Sequence, residues 1–184
     1  MIRELADDLE QLEAIRADAR ALVSGISQDQ FNRRPRPKRW SVGQCLDHLN
    51  TMRTVFPAID QTIRDAEARG LRSPGPFSYG WFARLSVRSM EPPPWFKMRT
   101  VKMLFPRETR LDPNDVLREF LALRDQFAER VRRADGLDLQ RAIVVSPVSR
   151  LVRLPLGAYF AFLLAHDRRH LWQARRVLAD VRAC

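Results

Sequence analysis

Three histidines are the residues of this 184-residue chain whose type and spacing could do chemistry. His166 and His170 stand four residues apart in a stretch with helical periodicity, so both rings would project from one helix face about one turn apart. His48 lies near the start of another predicted helix. If the three meet, they form a divalent-metal site with an open coordination position. The alternative is that each is an ordinary core or surface histidine.

The helical pattern puts these histidines on core-facing stripes. A buried imidazole needs partners for both ring nitrogens, and a shared metal ion would satisfy one nitrogen on each ring. We therefore predict His48, His166 and His170 as metal ligands. Imidazole ligands suit zinc, nickel, iron, copper or cobalt, and the order of affinities does not decide which ion is bound. We expect zinc or nickel as the leading ions, with iron, cobalt and manganese also possible. The bound ion would activate a water or a thiolate.

Two neighbours of the histidines have two interpretations each. Cys45 precedes His48 by three residues, so a helix brings it to the same face. It is either a fourth ligand or, as we favour, a small buried hydrophobe. Gln173 follows His170 by three residues and either hydrogen-bonds a ligand or lies at the rim of the bundle.

Two aspartates, Asp47 and Asp167, each stand next to a histidine in the sequence. They lie about 100° around the helix from that histidine, which argues against ligation of the same ion. Either could orient a histidine on another helix, but we favour a solvated salt bridge to Arg168 or Arg169.

Hydrophobic periodicity indicates four long amphipathic helices and hence an all-α fold, a four-helix bundle in a single domain over residues 1–184. The predicted helices cover about 3–23, 41–70, 112–136 and 155–181. Ser41 with Gln44 forms a capping box at the start of the second helix, and Asp112 with Pro113 opens the third. Pro57 is expected to bend the second helix.

A long connection rich in proline and aromatic residues, 70–112, joins helices 2 and 3. We predict one short helix over 81–90 within it. The connection either packs over one end of the bundle, which we favour, or acts as a lid or a dimer contact. A second connection contains the apolar residues 143–145, which predict a short extended segment.

The composition restricts the class of protein. With 32 Lys+Arg against 22 Asp+Glu, the net charge of +10 favours anionic partners but does not define a nucleic-acid-binding protein. The two cysteines, Cys45 and Cys184, give no disulfide framework. No signal-peptide pattern or spanning apolar run occurs, so we expect a cytoplasmic protein without a membrane partner.

Two motifs carry a resemblance to a known family. They are Trp40-Ser41-x-x-Gln44-x-x-x-His48-Leu49 and His166-x-x-x-His170-x-x-Gln173. In their order and spacing, and with Pro92-Pro93-Pro94 between them, the chain resembles the DinB-like (damage-inducible, YfiT-like) family. The resemblance implies an up-down-down-up four-helix bundle, often dimeric, with a divalent metal on His48, His166 and His170. Members include thiol S-transferases, thiol-dependent isomerases and metal-dependent hydrolases.

The favoured function is a metal-dependent thiol S-transferase or hydrolase acting on a small molecule, with a low-molecular-weight thiol as possible cosubstrate. Arg168 or Arg39 at the rim would attract an anionic cosubstrate. One alternative is a non-enzymatic basic bundle that binds nucleic acid or an acidic membrane through 33–39 and 97–110. We do not favour it, because the basic residues are spread over all segments. Another is a dimeric structural protein with a vestigial metal site.

Overall fold

The computed structural model describes residues 1–95, 104–107, 110–149 and 152–183, and they are mostly helical. The up-down-down-up order of the bundle stays a prediction. In chain order the elements are α1 (Arg3–Val23), α2 (Gln28–Asn32), α3 (Val42–Leu49), a 3-10 helix (Asn50–Val55), α4 (Phe56–Ala68), α5 (Trp81–Met90), α6 (Pro113–Arg133), β1 (Ile143–Val145), β2 (Arg153–Pro155) and α7 (Leu156–Arg182).

The helices that carry the histidines belong to one packed core. α1 and α3 each pack against both α6 and α7, and each of the four helices buries an apolar stripe in the shared core. Between α6 and α7 the rings of Phe127 and Phe160 meet edge to face at 5.5 Å, and neither ring reaches solvent. Burying such a side chain contributes about 1.5–3 kcal/mol, so this contact holds α6 against α7. Because α3 packs on both of them, the same core fixes α3 relative to α7.

The second predicted helix is not continuous. α3 ends at Leu49, a 3-10 helix follows, and α4 begins at Phe56. Pro57 lies in the first turn of α4, where a missing N–H removes no helical hydrogen bond. The expectation that Pro57 bends one long helix is therefore wrong: the break precedes the proline, which starts the next helix. As a result α3 packs on α6 and α7, while α4 also packs on β1.

The connections contain the two short elements that the sequence predicts. α5 covers Trp81–Met90 and packs along α7. β1 pairs with β2 as an antiparallel two-stranded sheet in which Val144 faces Leu154, so the predicted extended segment is one arm of a hairpin. Most of the basic stretch 97–110, like Cys184, lies outside the described residues. None of the described helices combines the length and apolar character that crossing a membrane requires.

Candidate metal centre

Two helices bring the three histidines together. α3 begins at the predicted capping box, in which Ser41 Oγ accepts from the Gln44 N–H and Gln44 Oε1 accepts from the Ser41 N–H. This start places His48 in the last turn of α3, facing α7. His166 and His170 lie one turn apart on α7. One potential ligand atom from each ring lies within 4.8 Å of the other two.

The ring of His48 has a defined tautomer. Its Nδ1 lies 2.7 Å from the carbonyl oxygen of Leu104, and because a carbonyl only accepts, Nδ1 carries the proton. Nε2 of His48 therefore presents a lone pair, and it lies 3.3 Å from Nε2 of His166. A carbonyl partner on the far nitrogen is the usual way in which a protein orients a ligating histidine.

The donor set fits a divalent metal ion. Tetrahedral ligands at the usual Zn–N distance of about 2.0–2.1 Å stand about 3.3–3.4 Å apart, which matches the separation of the two Nε2 atoms. His170 Nδ1 is buried and has no hydrogen-bond partner within the described part of the chain. Buried polar atoms rarely lack a partner, so this ring has unused bonding capacity.

All three rings are held in the neutral form that metal binding requires. Burial is the largest cause, and it lowers the pKa of each histidine. The pKa of His166 falls to about 3, with further lowering from the charges of His48, Arg124 and Arg169. The pKa of His170 also falls well below its ordinary value, although hydrogen bonding with Gln173 opposes this fall.

Trp40 covers one side of the cluster. Its ring centroid lies 5.0 Å from that of His48 and 5.9 Å from that of His170, on which it stacks. His48 and His170 are buried, whereas His166 is partly exposed. The side of the cluster at His166 is therefore the one nearest to solvent.

A short strap, residues 104–107, lies over α3 and supplies the Leu104 carbonyl. Asp47 fixes the strap, because its two carboxylate oxygens accept from the backbone N–H and the guanidinium of Arg107. Gln44 Nε2 also donates to the Arg107 carbonyl, at 3.4 Å. Asp47 thus acts on His48 through the strap and not through a salt bridge to Arg168 or Arg169. The favoured expectation for this aspartate was wrong.

The expectation that Asp167 forms a solvated salt bridge is also wrong. Asp167 makes a fully buried ion pair with Arg124 of α6, which donates to both carboxylate oxygens. Burial raises the pKa of Asp167, and the charge of Arg124 opposes this rise. The sequence did contain a signal for Arg124, since it lies on the apolar stripe of α6 between Phe120 and Phe127.

The remaining candidates have less direct roles. Cys45 is fully buried, and burial raises the pKa of its thiol, in agreement with a small core residue. Cys45 is not a member of the metal-ligand cluster that the described residues form. Arg168 pairs with Glu91, and Arg169 donates to the Ser89 carbonyl, so both arginines bind the end of α5. Arg39 is exposed.

A mostly helical core with three neutral histidines converging from two helices defines a helical protein with a candidate metal centre. The family model described as DinB superfamily matches residues 11–174. The chain therefore belongs to the DinB superfamily, a metal-binding helical family. No curated protein and no solved structure matches it in the corresponding comparisons.

Proposed function

We propose that this protein is a metal-dependent enzyme, a thiol S-transferase or a hydrolase of small molecules. One divalent ion would be held by His48, His166 and His170, with zinc or nickel as the leading candidates. The observation that carries the proposal is the convergence of three neutral, core-facing imidazoles whose ligand atoms lie within 4.8 Å of one another. A divalent ion bound there supplies a Lewis acid that polarises a carbonyl or stabilises an anionic nucleophile.

The protein's own residues would orient and cover this centre. The Leu104 carbonyl fixes the ring and the tautomer of His48. Trp40 shields the rings of His48 and His170 from water. The partial exposure of His166 leaves one side for a substrate. Three protein ligands with one accessible side are the usual composition of a catalytic zinc site, whereas structural sites are closed by four ligands.

The thiol of an S-transfer reaction would come from a cosubstrate. Cys45 is the one cysteine among the described residues, and it has no exposed surface. Burial also raises the pKa of Cys45, so its thiol stays protonated and a poor nucleophile. This favours a low-molecular-weight thiol that enters from solvent.

The homodimer implied by the resemblance is part of this proposal. α5 exposes three large apolar side chains, Trp81, Phe82 and Leu85, on neighbouring positions. Contiguous exposed apolar surface of this kind commonly lies in an interface between subunits. Light scattering on the purified protein measures the mass of the particle and tests this part directly.

Elemental analysis tests the site. We expect untagged protein, purified without chelators or a nickel column, to carry about one divalent ion per chain. His48→Ala, His166→Ala and His170→Ala should each lose most of it. Cys45→Ala is the matched control, because it removes a buried donor from the same face of α3 and should leave the metal content unchanged. Full metal content in all three histidine variants would contradict the site.

Activity separates an enzyme from a structural metal protein. Wild-type protein should catalyse thiol addition to an electrophile, or hydrolysis of an amide or ester, in a screen of such substrates. The activity should disappear on chelation and return when the metal is restored. A protein that holds its metal but has no chelator-sensitive turnover in either screen argues for the structural alternative.

A further inference from the structure

Arg124 is a guanidinium in the centre of the core. It lies on α6 with 0% of its surface exposed, and its Cζ lies 3.7 Å from the centroid of the Phe120 ring. Arginine is almost never fully buried without partners, because its charge cannot be removed by deprotonation. Its position therefore depends on the groups that it contacts.

The contacts of Arg124 lead to both helices of the metal centre. Nη1 donates to the carbonyl oxygen of Leu49 at 3.2 Å, and Nε donates to Asp167 Oδ2 at 3.0 Å. Nη2 completes a two-point pair with Asp167. Leu49 follows His48 in the chain, and Asp167 follows His166. A single guanidinium thus links the backbone beside one ligand with the side chain beside another.

Packing alone does not explain this choice of residues. The free energy needed to take two charges out of water can exceed the free energy gained from their attraction. Replacing a buried ion pair by well-packed apolar side chains is therefore often neutral or stabilising. What the pair does supply is fixed geometry, because the planar fork of arginine accepts only a narrow range of partner positions. Nε2 of His48 and Nε2 of His166 are 3.3 Å apart, a separation that small helix shifts would spoil.

We infer that Arg124 is a positioning residue of the metal centre, which sets the separation of His48 and His166 by linking Leu49 to Asp167. The inference rests on the proposed metal site. Arg124 does not contact the ion or a substrate. It acts through α3 and α7, and its loss would loosen the ligand set without removing a ligand.

Cobalt binding tests the inference, since the visible ligand-field absorption of Co²⁺ reports its coordination geometry. The double variant Arg124→Met/Asp167→Leu replaces the pair by apolar side chains of similar size. We expect it to fold, with a melting temperature close to that of wild type. Its Kd for Co²⁺ should rise about tenfold to a hundredfold, the usual effect of losing an outer partner of a metal ligand, and its absorption bands should change.

A second ion pair on α6 provides the matched control. Arg130 pairs with Asp60 of α4, and its Cζ lies 4.1 Å from the centroid of the Phe56 ring. It therefore repeats the ion pair and the ring contact of Arg124 at a partly exposed position that has no link to the histidines. Arg130→Met/Asp60→Leu should leave the Co²⁺ affinity and spectrum unchanged.

Arg124→Lys is the second test variant, because it keeps the charge but cannot reach all three acceptors. It should also weaken Co²⁺ binding.

The outcomes separate the inference from the proposed function. If wild-type protein binds no Co²⁺, the metal site and the inference are both wrong. If wild-type protein binds Co²⁺ and the folded double variant binds it with the same affinity and spectrum, the inference alone is overturned. If the double variant does not fold, Arg124→Lys decides the question. An unchanged Kd for Co²⁺ in Arg124→Lys also overturns the inference.

Discussion

Trp40 should report directly on whether the site is occupied. Its ring is the aromatic neighbour of both His48 and His170. An open-shell ion such as Co²⁺ quenches an indole at this distance, so a Co²⁺ titration should reduce the tryptophan fluorescence in a saturable way. Trp40→Phe keeps an apolar ring in place and should remove most of this change, although the other three of the four tryptophans remain. Equal quenching in both proteins would mean that the ion binds elsewhere.

Asp8 gives a prediction about pH. It is buried on α1, and its Oδ2 has no hydrogen-bond partner among the residues that the structure describes. Burial, followed by the charges of Glu4 and Asp7, raises the pKa of Asp8 to about 7. The folded protein therefore keeps the Asp8 proton up to about pH 7, whereas the unfolded chain releases it near pH 4. Because of this difference, the contribution of Asp8 to the free energy of unfolding falls as the pH rises from about 4 through 7.

We therefore expect Asp8→Asn to stabilise the protein more at pH 8 than at pH 5. The difference in the free energy of unfolding should be on the order of 2 kcal/mol. Urea unfolding at the two pH values measures it. Glu10→Gln changes an exposed carboxylate on the same helix and serves as the control. If both variants respond alike to pH, the proton is not on Asp8.

The strap 104–107 is the element whose loss should weaken the site without unfolding the protein. Arg107→Ala removes the side-chain half of the link to Asp47, and the Arg107 side chain is itself more than half exposed. We expect the bond between the Leu104 carbonyl and His48 Nδ1 to weaken and the Kd for Zn²⁺ to rise by up to about tenfold. Calorimetric titration measures this. Arg110→Ala, which breaks only an exposed pair with Asp29, should have no effect.

At the level of elements, the starts of helices could be predicted from the sequence, but the break between α3 and α4 could not. The capping box at Ser41 and the Asp112 cap depend on residues within one turn, so the sequence contains the whole signal. The break depends on side chains that take backbone partners. Thr51 Oγ1 donates to the His48 carbonyl, and Asn50 Nδ2 donates to the Val116 carbonyl on another helix. The second of these partners is 66 residues away.

The same limit applies to the centre itself. The periodicity of α7 predicted that His166 and His170 share a face, and the stripe of α3 predicted that His48 faces inward. The partners of Asp47 and Asp167 were missed because they lie 60 and 43 residues away, where no local pattern reaches. Arg124 was missed as well: a charge on the apolar stripe of α6 is a local sign of a buried ion pair, but its partner Asp167 lies 43 residues away.

For the molecule as a whole, a metal ion should act as a stabiliser. His48 and His166 are 118 residues apart in the chain, so only the folded state brings them together. Binding to the folded state alone raises the free energy of unfolding by about 2.7 kcal/mol at a hundred times the Kd. We expect the melting temperature of metal-free protein to rise as Zn²⁺ is added. His170→Ala should show little of this rise, and a rise of equal size there would mean that zinc stabilises the protein at another site.

The buried pair between Arg124 and Asp167 also determines which parts of the molecule can separate. Opening α6 from α7 would separate the two charges, and breaking a buried pair costs about 3–5 kcal/mol. Opening α3 from α6 would break the bond to Leu49. These three helices should therefore open together, and their backbone amides should exchange with deuterium only in the rarest, global fluctuations. Local breathing would occur in elements outside these three helices, among them the strap that contacts His48 and the α5 helix that Arg168 and Arg169 bind.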